Sequence, residues 1–252
     1  MIIINSSKGQ DFSPAPCPLP STRPIFWAQA EELVTLLRQY DLVSLRALMD
    51  VSQSLAERTM AQFHGFAADG GKPALLAYDG EAYRSLGAAE FSADDLHAAQ
   101  QRLRILSGLY GLLRPLDLIQ PHRLEMGYAV RNEHGKHLYA FWRKRITDEL
   151  NRQLAREPHP LLINLASHEY AKAVDKNRLR APWIDIQFKE EGAGKLKIMA
   201  VHAKRARGMM AAFLIRQRID RPEGITAFTG GGYGFRPDLS TNRQLVFTRP
   251  AA

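Results

Sequence analysis

The chain has 252 residues, 45% hydrophobic and 24% charged, with 34 Lys and Arg against 26 Asp and Glu for a formal net charge of +8. Those proportions exclude a chain held unfolded by charge and low hydrophobicity, and the length suits one large domain or two small ones. A single cysteine, Cys17, excludes an intrachain disulfide and a multi-cysteine zinc site, as expected in a reducing compartment.

The opening Met1-Ile2-Ile3-Ile4-Asn5 predicts a short buried strand; its apolar run is too short, and lacks a basic flank, for a secretory signal. Prolines at 14, 16, 18, 20 and 24 then predict extended chain over the surface, with Pro24 in the first turn of a helix carrying Phe26, Ala30, Leu33, Leu37 and Tyr40 on one face. Helices follow over Leu42 to Met49 and Ser52 to Phe63. Pro73 to Tyr78, before Asp79-Gly80, predicts a strand entering a tight turn.

Ser92-Ala93-Asp94-Asp95 has the pattern of a capped helix start, and Leu96, Ala99, Leu103 and Leu106 extend that helix to a stop near Ser107-Gly108. Leu138 to Leu154 predicts a long helix, Leu161 to Asn164 a short strand, and Ser167 the cap of the helix after it. Trp183 to Phe188 and Lys195 to Ala200 predict a hairpin around Glu190 to Gly194. A helix from about Ala203 to Ile219, a glycine-rich Thr229 to Gly234 and a last strand Gln244 to Thr248 complete the chain. With no internal repeat and no long linker, the class expected is α+β in a single domain, residues 1–252. No apolar stretch approaches the ~20 residues of a spanning helix, so a cytoplasmic protein with no membrane partner is expected.

Charge is uneven along the chain. Residues 1–101 carry 7 basic and 12 acidic side chains, a net of −5, and residues 102–252 carry 27 and 14, a net of +13. Such asymmetry is the footprint of a polyanion partner, nucleic acid before a membrane surface; the bland alternative is a basic solvated face.

The densest segment is Leu106 to Leu118. Gly108 and Gly111, separated by Leu109 and Tyr110 and preceded by Ser107, have the spacing of a helix-hairpin-helix turn. There glycine lets the backbone approach a phosphate, and helix amides and dipole favour the negative charge. Arg104 and Arg114 flank it; the alternative is an ordinary packed turn. Lys204, Arg205 and Arg207, followed by Gly208, form a second basic group at a predicted helix start, where cations oppose the macrodipole unless an anion lies between them.

The run Leu106 to Asp117, with Pro121 and Arg123-Leu124-Glu125-Met126-Gly127, resembles the signature of the YaaA family of bacterial peroxide-stress-resistance proteins. Ser6-Ser7-Lys8, Asn164 to Tyr170, Lys204 to Gly208 and Phe228 to Phe235 support the resemblance in the same order over essentially the whole chain. It implies a compact α+β domain with a helix-hairpin-helix element, a basic cleft that binds double-stranded DNA, and a role in surviving hydrogen peroxide by keeping unincorporated iron low. The family usually follows its early lysine with Thr or Ser. Here Gly9 follows Lys8, which removes a hydroxyl from a possible phosphate contact.

The DNA-binding set expected is therefore Lys8, Arg104, Ser107, Gly108, Tyr110, Gly111, Arg114, Arg123, Asn164, Ser167, Lys204, Arg205 and Arg207, acting on phosphates and not on bases. An enzymatic alternative places Lys8 as an amine nucleophile with Asp117 or Glu125 as the carboxylate of a glycosylase- or lyase-like reaction. Against it, those acids serve equally to neutralise Arg114 and Arg123. A third reading has the basic face meeting an acidic protein partner. The eight histidines scatter with no helical ligand pair: His134 and His137 flank Gly135-Lys136, and His122 precedes Glu125 in a proline-bearing loop. No metal site is expected, and with no nucleotide-binding motif no cofactor either.

Overall fold

Strand β1 (Ile2–Asn5) lies in the middle of the main sheet. Its three isoleucines are buried because strands pair on both sides of it, and a covered parallel sheet requires apolar runs. The computed structural model describes residues 1–14, 20–192 and 194–251. Strand β2 (Gly9–Gln10) follows; Pro16, Cys17 and Pro18 of the predicted extended segment lie outside the described residues.

Helix α1 (Trp27–Leu37) buries Ala30, Leu33 and Leu37 as their spacing predicts, but Pro24 precedes it, accepting from the Trp27 amide at 3.2 Å. Helices α2 (Leu42–Met49) and α3 (Gln53–His64) start where Asp41 and Ser52 cap them. The strand predicted over Pro73 to Tyr78 is instead β3 (Lys72–Pro73), one helical turn α4 (Ala74–Ala77) and β4 (Tyr78–Asp79). A short apolar run suits a buried helical turn as well as a strand. Here the Ala74 and Leu75 amides donate to the carbonyl oxygens of Asp117 and Pro115, both at 2.9 Å, curling the backbone off the ladder. Helix α5 (Glu81–Leu86) comes next.

Ser92 and Asp95 cap α6 (Ala93–Arg102) reciprocally, and the helix ends five residues short of the expected stop. Leu103 to Ser107 form β5, fully buried, paired parallel to β1 on one side and antiparallel to β6 (Gly111–Leu113) on the other. The three-to-four spacing of its leucines gives way to two strand partners. The glycine segment is thus the turn of a β-hairpin, which corrects the helix-hairpin-helix expectation.

Strand β7 (Leu118–Ile119) leads to α7 (Leu138–Leu154), which has the predicted bounds, and to β8 (Leu162–Asn164). Helix α8 (His168–Ala171) is capped by Ser167. Strands β9 (Trp183–Gly192) and β10 (Lys195–Lys197) form the predicted hairpin, after which α9 (Ala200–Arg216) begins three residues early. Helix α10 (Pro222–Ile225), β11 (Gly234–Phe235) and β12 (Gln244–Pro250) finish the chain. The glycines before β11 make a tight turn, with Gly231 and Gly232 at positive φ and the Arg249 guanidinium donating to the Gly231 carbonyl oxygen at 3.0 Å.

Among the described residues the main sheet has eight strands in the order β11-β12-β9-β8-β1-β5-β6, with β10 on β9. The pairs from β12 through β5 are parallel, and those of β6, β10 and β11 antiparallel. This is an α+β domain with a mixed sheet. Neighbours β1 and β8 send the chain to opposite sides, β1 to β5 and β8 to β9. Adjacent strands with diverging connections leave a crevice beyond their C-terminal ends. No helix among the described residues is long and apolar enough to cross a membrane.

Candidate functional site

The crevice holds a cavity of about 480 Å³ between the residues after β1, the start of α5, the loop after β8 and one face of α9. Its walls are tied together by contacts between residues far apart in the chain. Asn5 accepts the Ser167 amide on its side-chain oxygen at 2.9 Å and the Tyr83 hydroxyl on its carbonyl oxygen at 3.0 Å. Ser6 donates to the Tyr170 hydroxyl at 3.2 Å. Gly208 brings α9 against α5: a Cβ there would overlap the Ala82 carbonyl oxygen. Gly9 likewise backs onto the Asp79 carbonyl, which leaves no room for the hydroxyl-bearing side chain expected after the lysine.

Of the residues expected from sequence, Lys8, Ser167, Lys204, Arg207 and the carboxylate Glu125 converge here. Glu125 is bound three ways: by Lys8 at 2.9 Å, by the Tyr128 hydroxyl at 2.7 Å and by Arg123 at 3.5 Å. Burial, helped by that bond, pushes the Tyr128 hydroxyl up to about 12. Arg123 does not reach the cavity, and Arg205 turns aside to Glu81. Asn164 lies at the end of β8, donating to Asp185 at 2.7 Å and accepting the Ala166 amide at 2.9 Å, so its amide is spent on the loop.

The remaining residues of the expected set lie outside the cavity. Ser107, Gly108, Tyr110 and Gly111 are buried: Ser107 accepts the Tyr110 amide at 3.2 Å, and the Tyr110 hydroxyl accepts the Gln120 amide at 3.0 Å. Added Cβ atoms at Gly108 and Gly111 would strike the Leu124 carbonyl and the Trp142 ring, so both glycines stand where the backbone is closely packed. Arg104 is buried at the opposite end of the sheet, beside a larger cavity of about 820 Å³ that includes Met1. It donates to Gln153 at 2.6 Å and to the Gln100 and Leu103 carbonyl oxygens, and burial lowers its guanidinium to about 10. Asp117 is fully buried and accepts from Thr22, the Arg114 amide and the Arg114 guanidinium at 2.6 to 3.1 Å. Arg114 and Asp117 close a loop and stand away from the cavity.

The cavity is not uniformly basic. Its wall carries Lys8, Arg84, Lys204 and Arg207 against Asp79, Glu81, Glu125 and Glu169. Every one of those acids is engaged: Asp79 by Arg84 at 2.7 Å, Glu81 by Arg205, Glu125 by Lys8, and Glu169 by the Gly127 amide at 3.0 Å. Among the described residues, Lys204 and Arg207 are left without an ion-pair partner. Burial alone lowers the Arg207 guanidinium, with no carboxylate offsetting it. Sequence reasoning missed the Asp79 to Arg84 wall; its signal was Gly80, where a Cβ would overlap the Ser7 hydroxyl.

A family model described as "Peroxide stress protein YaaA" matches residues 1–239. A UPF0246 protein of Cellvibrio japonicus is 46% identical over 98% of this chain and 97% of its own length. UPF0246 proteins of Acaryochloris marina and Aromatoleum aromaticum are 44% and 43% identical, each over at least 99% of both chains.

Proposed function

Because the chain belongs to the YaaA family of peroxide stress proteins, we propose that it acts in peroxide stress by holding duplex DNA through phosphates at the cavity over β1 and β8. Charge pairing carries the reading: the wall's acids all have partners, whereas Lys204 and Arg207, one turn apart on α9, have none among the described residues. Arg207, partly buried and without counter-charge, is stabilised by an anion, and its guanidinium fits two phosphate oxygens at once, while exposed Lys204 one turn away adds charge. Lys8, 62% exposed at the rim, adds a third contact by sharing itself between Glu125 and the ligand. The grip belongs to α9 and the loop after β1. Contacts of this kind carry no base information. The reading routes the limiting of unincorporated iron through DNA; among the described residues no three His, Cys, Asp or Glu side chains are grouped to hold a metal ion.

Fluorescence anisotropy on a short duplex tests it. Log K is expected to fall by about 0.9 per phosphate neutralised as log salt rises, and the Lys204→Ala, Arg207→Gln double variant to lower that slope by about 2. Salt-independent binding, or none at low salt, would sink the proposal.

The 2.9 Å Lys8–Glu125 pair supplies the two groups of a second reading, a lyase-like reaction at an abasic site, which ranks below the first. An amine nucleophile needs a desolvated setting, and Lys8 is open to water on a carboxylate. Borohydride reduction with abasic duplex should trap a covalent complex that Lys8→Ala abolishes; no trapping rejects this reading.

A further inference from the structure

We infer that a second cavity, on the far side of Arg207, is a pocket for a single nucleotide: Arg207 takes the phosphate and the cavity takes the base. This inference shares with the DNA reading only the premise that Arg207 holds a phosphate.

The cavity measures about 540 Å³, within the ~300–1,000 Å³ of small-molecule sites, and Arg207 lines both it and the cavity over β1 and β8. The loop after β8 is the partition: Leu165 and Ser167 face one side, Ala166 and His168 the other. A group bound by the guanidinium therefore has space in two directions. The second space combines an apolar side, Ile186 and Phe188 of β9, Ala203 of α9 and Ile198 just after β10, with the cations Arg143, Lys172 and Lys176 on its other walls. Ile198 is 56% exposed, an apolar side chain left wet at the mouth of the cavity.

The acids of this cavity are also spoken for. Burial works to raise Asp185, and bonds from Asn164 at 2.7 Å, Trp183 at 2.7 Å and Lys176 at 3.0 Å outweigh it, leaving the carboxyl lowered. Asp175 accepts the Asn177 amide at 3.1 Å. What remains is a chamber with an apolar floor, Arg207 at one end, Arg143, Lys172 and Lys176 adding positive charge, and hydrogen-bonding edges, Gln187 and His168, at its side. The Gln187 amide nitrogen donates to Gln244 at 2.8 Å, so its oxygen is left to accept from a ligand. An acyl chain would leave those edges unused. A flat heterocycle with polar edges joined to a phosphate uses the floor, the edges and the guanidinium together, which is the chemistry of a nucleotide. The source is either a free nucleoside monophosphate or a nucleotide unstacked from a strand.

The test titrates the full chain with inorganic phosphate, with nucleosides and with nucleoside 5′-monophosphates by calorimetry, and separately with a duplex carrying 2-aminopurine opposite a mismatch. Nucleoside monophosphates should bind more tightly than either phosphate or nucleoside. Arg207→Gln should weaken them about 10- to 100-fold. Ile198→Ser, at an exposed position that folding tolerates, should weaken nucleotide about tenfold and leave inorganic phosphate unchanged. Saturation by free nucleotides identifies them as the ligand; an Arg207-dependent rise in 2-aminopurine fluorescence without it identifies an unstacked nucleotide. Equal binding of phosphate and nucleotide, indifference to Ile198→Ser, or silence in both arms overturns the inference. Loss of plain duplex binding with nucleotide binding intact would instead count against the DNA reading and leave this pocket standing.

Discussion

The Trp142 indole N–H donates to the Gly108 carbonyl oxygen at 2.8 Å, both groups buried, so the glycine turn is tied into the core and is not presented to solvent. Gly108→Ala would drive a methyl into the Leu124 carbonyl, a form of overpacking that costs about 1–3 kcal/mol. Urea denaturation should show that loss, with duplex affinity of the folded fraction unchanged. A stable Gly108→Ala that no longer binds DNA would return the turn to the interface.

Asp117 tests the difference between a structural and a catalytic acid. Removing a fully buried carboxylate that holds the Arg114 backbone and guanidinium leaves a cation uncompensated, at roughly 3–5 kcal/mol. Asp117→Ala should therefore lower the midpoint of thermal unfolding sharply. Full stability with loss of a DNA-processing activity would contradict the assignment.

Arg205 and Lys204 are adjacent in sequence and should behave differently. Arg205 sits on Glu81 as an exposed pair, and solvent screening leaves such a pair little effect on stability. Arg205→Ala is expected to change neither stability nor the salt slope of DNA binding appreciably, whereas Lys204→Ala should reduce that slope by about 1. Anisotropy titrations at several salt concentrations separate the two.

His122 sets a pH dependence. Its ring is buried with Nδ1 at 2.7 Å from the Gln120 carbonyl oxygen, and burial lowers it from 6.5 to about 4. The unfolded chain then binds the extra proton first, so stability is complete above pH 6.5 and falls as pH drops toward 4, by about 3 kcal/mol in total. His122→Gln should flatten the stability profile between those values, as read by denaturant midpoints at a series of pH values.

Local pattern was legible where one interaction range decides the outcome. Ser92 caps α6 and Ser167 caps α8 within their own four residues, and α7 follows from its leucine and aromatic spacing alone. Leu103 to Ser107 was not legible, because helical spacing there is overruled by β1, about a hundred residues earlier, and by β6. The candidate site was legible in part for the same reason. Lys8, Glu125, Ser167, Lys204 and Arg207 stood out as charged or capping residues in short motifs. That Arg205 would be neutralised and Arg207 left bare depended on Glu81, on a helix with no strong signal of its own.

The central place of β1 also bears on how the protein comes into being. This strand precedes both its neighbours in the chain, β5 by about a hundred residues and β8 by about a hundred and sixty. Contacts so distant along the chain form late and slowly. A chain growing from its N-terminus carries Lys8 early, yet neither Ser167 nor Arg207 exists beside it until most of the polypeptide has been made. Incomplete chains thus lack the assembled cavity, and if the proposed phosphate grip holds, the appearance of anion binding during refolding should mark closure of the sheet.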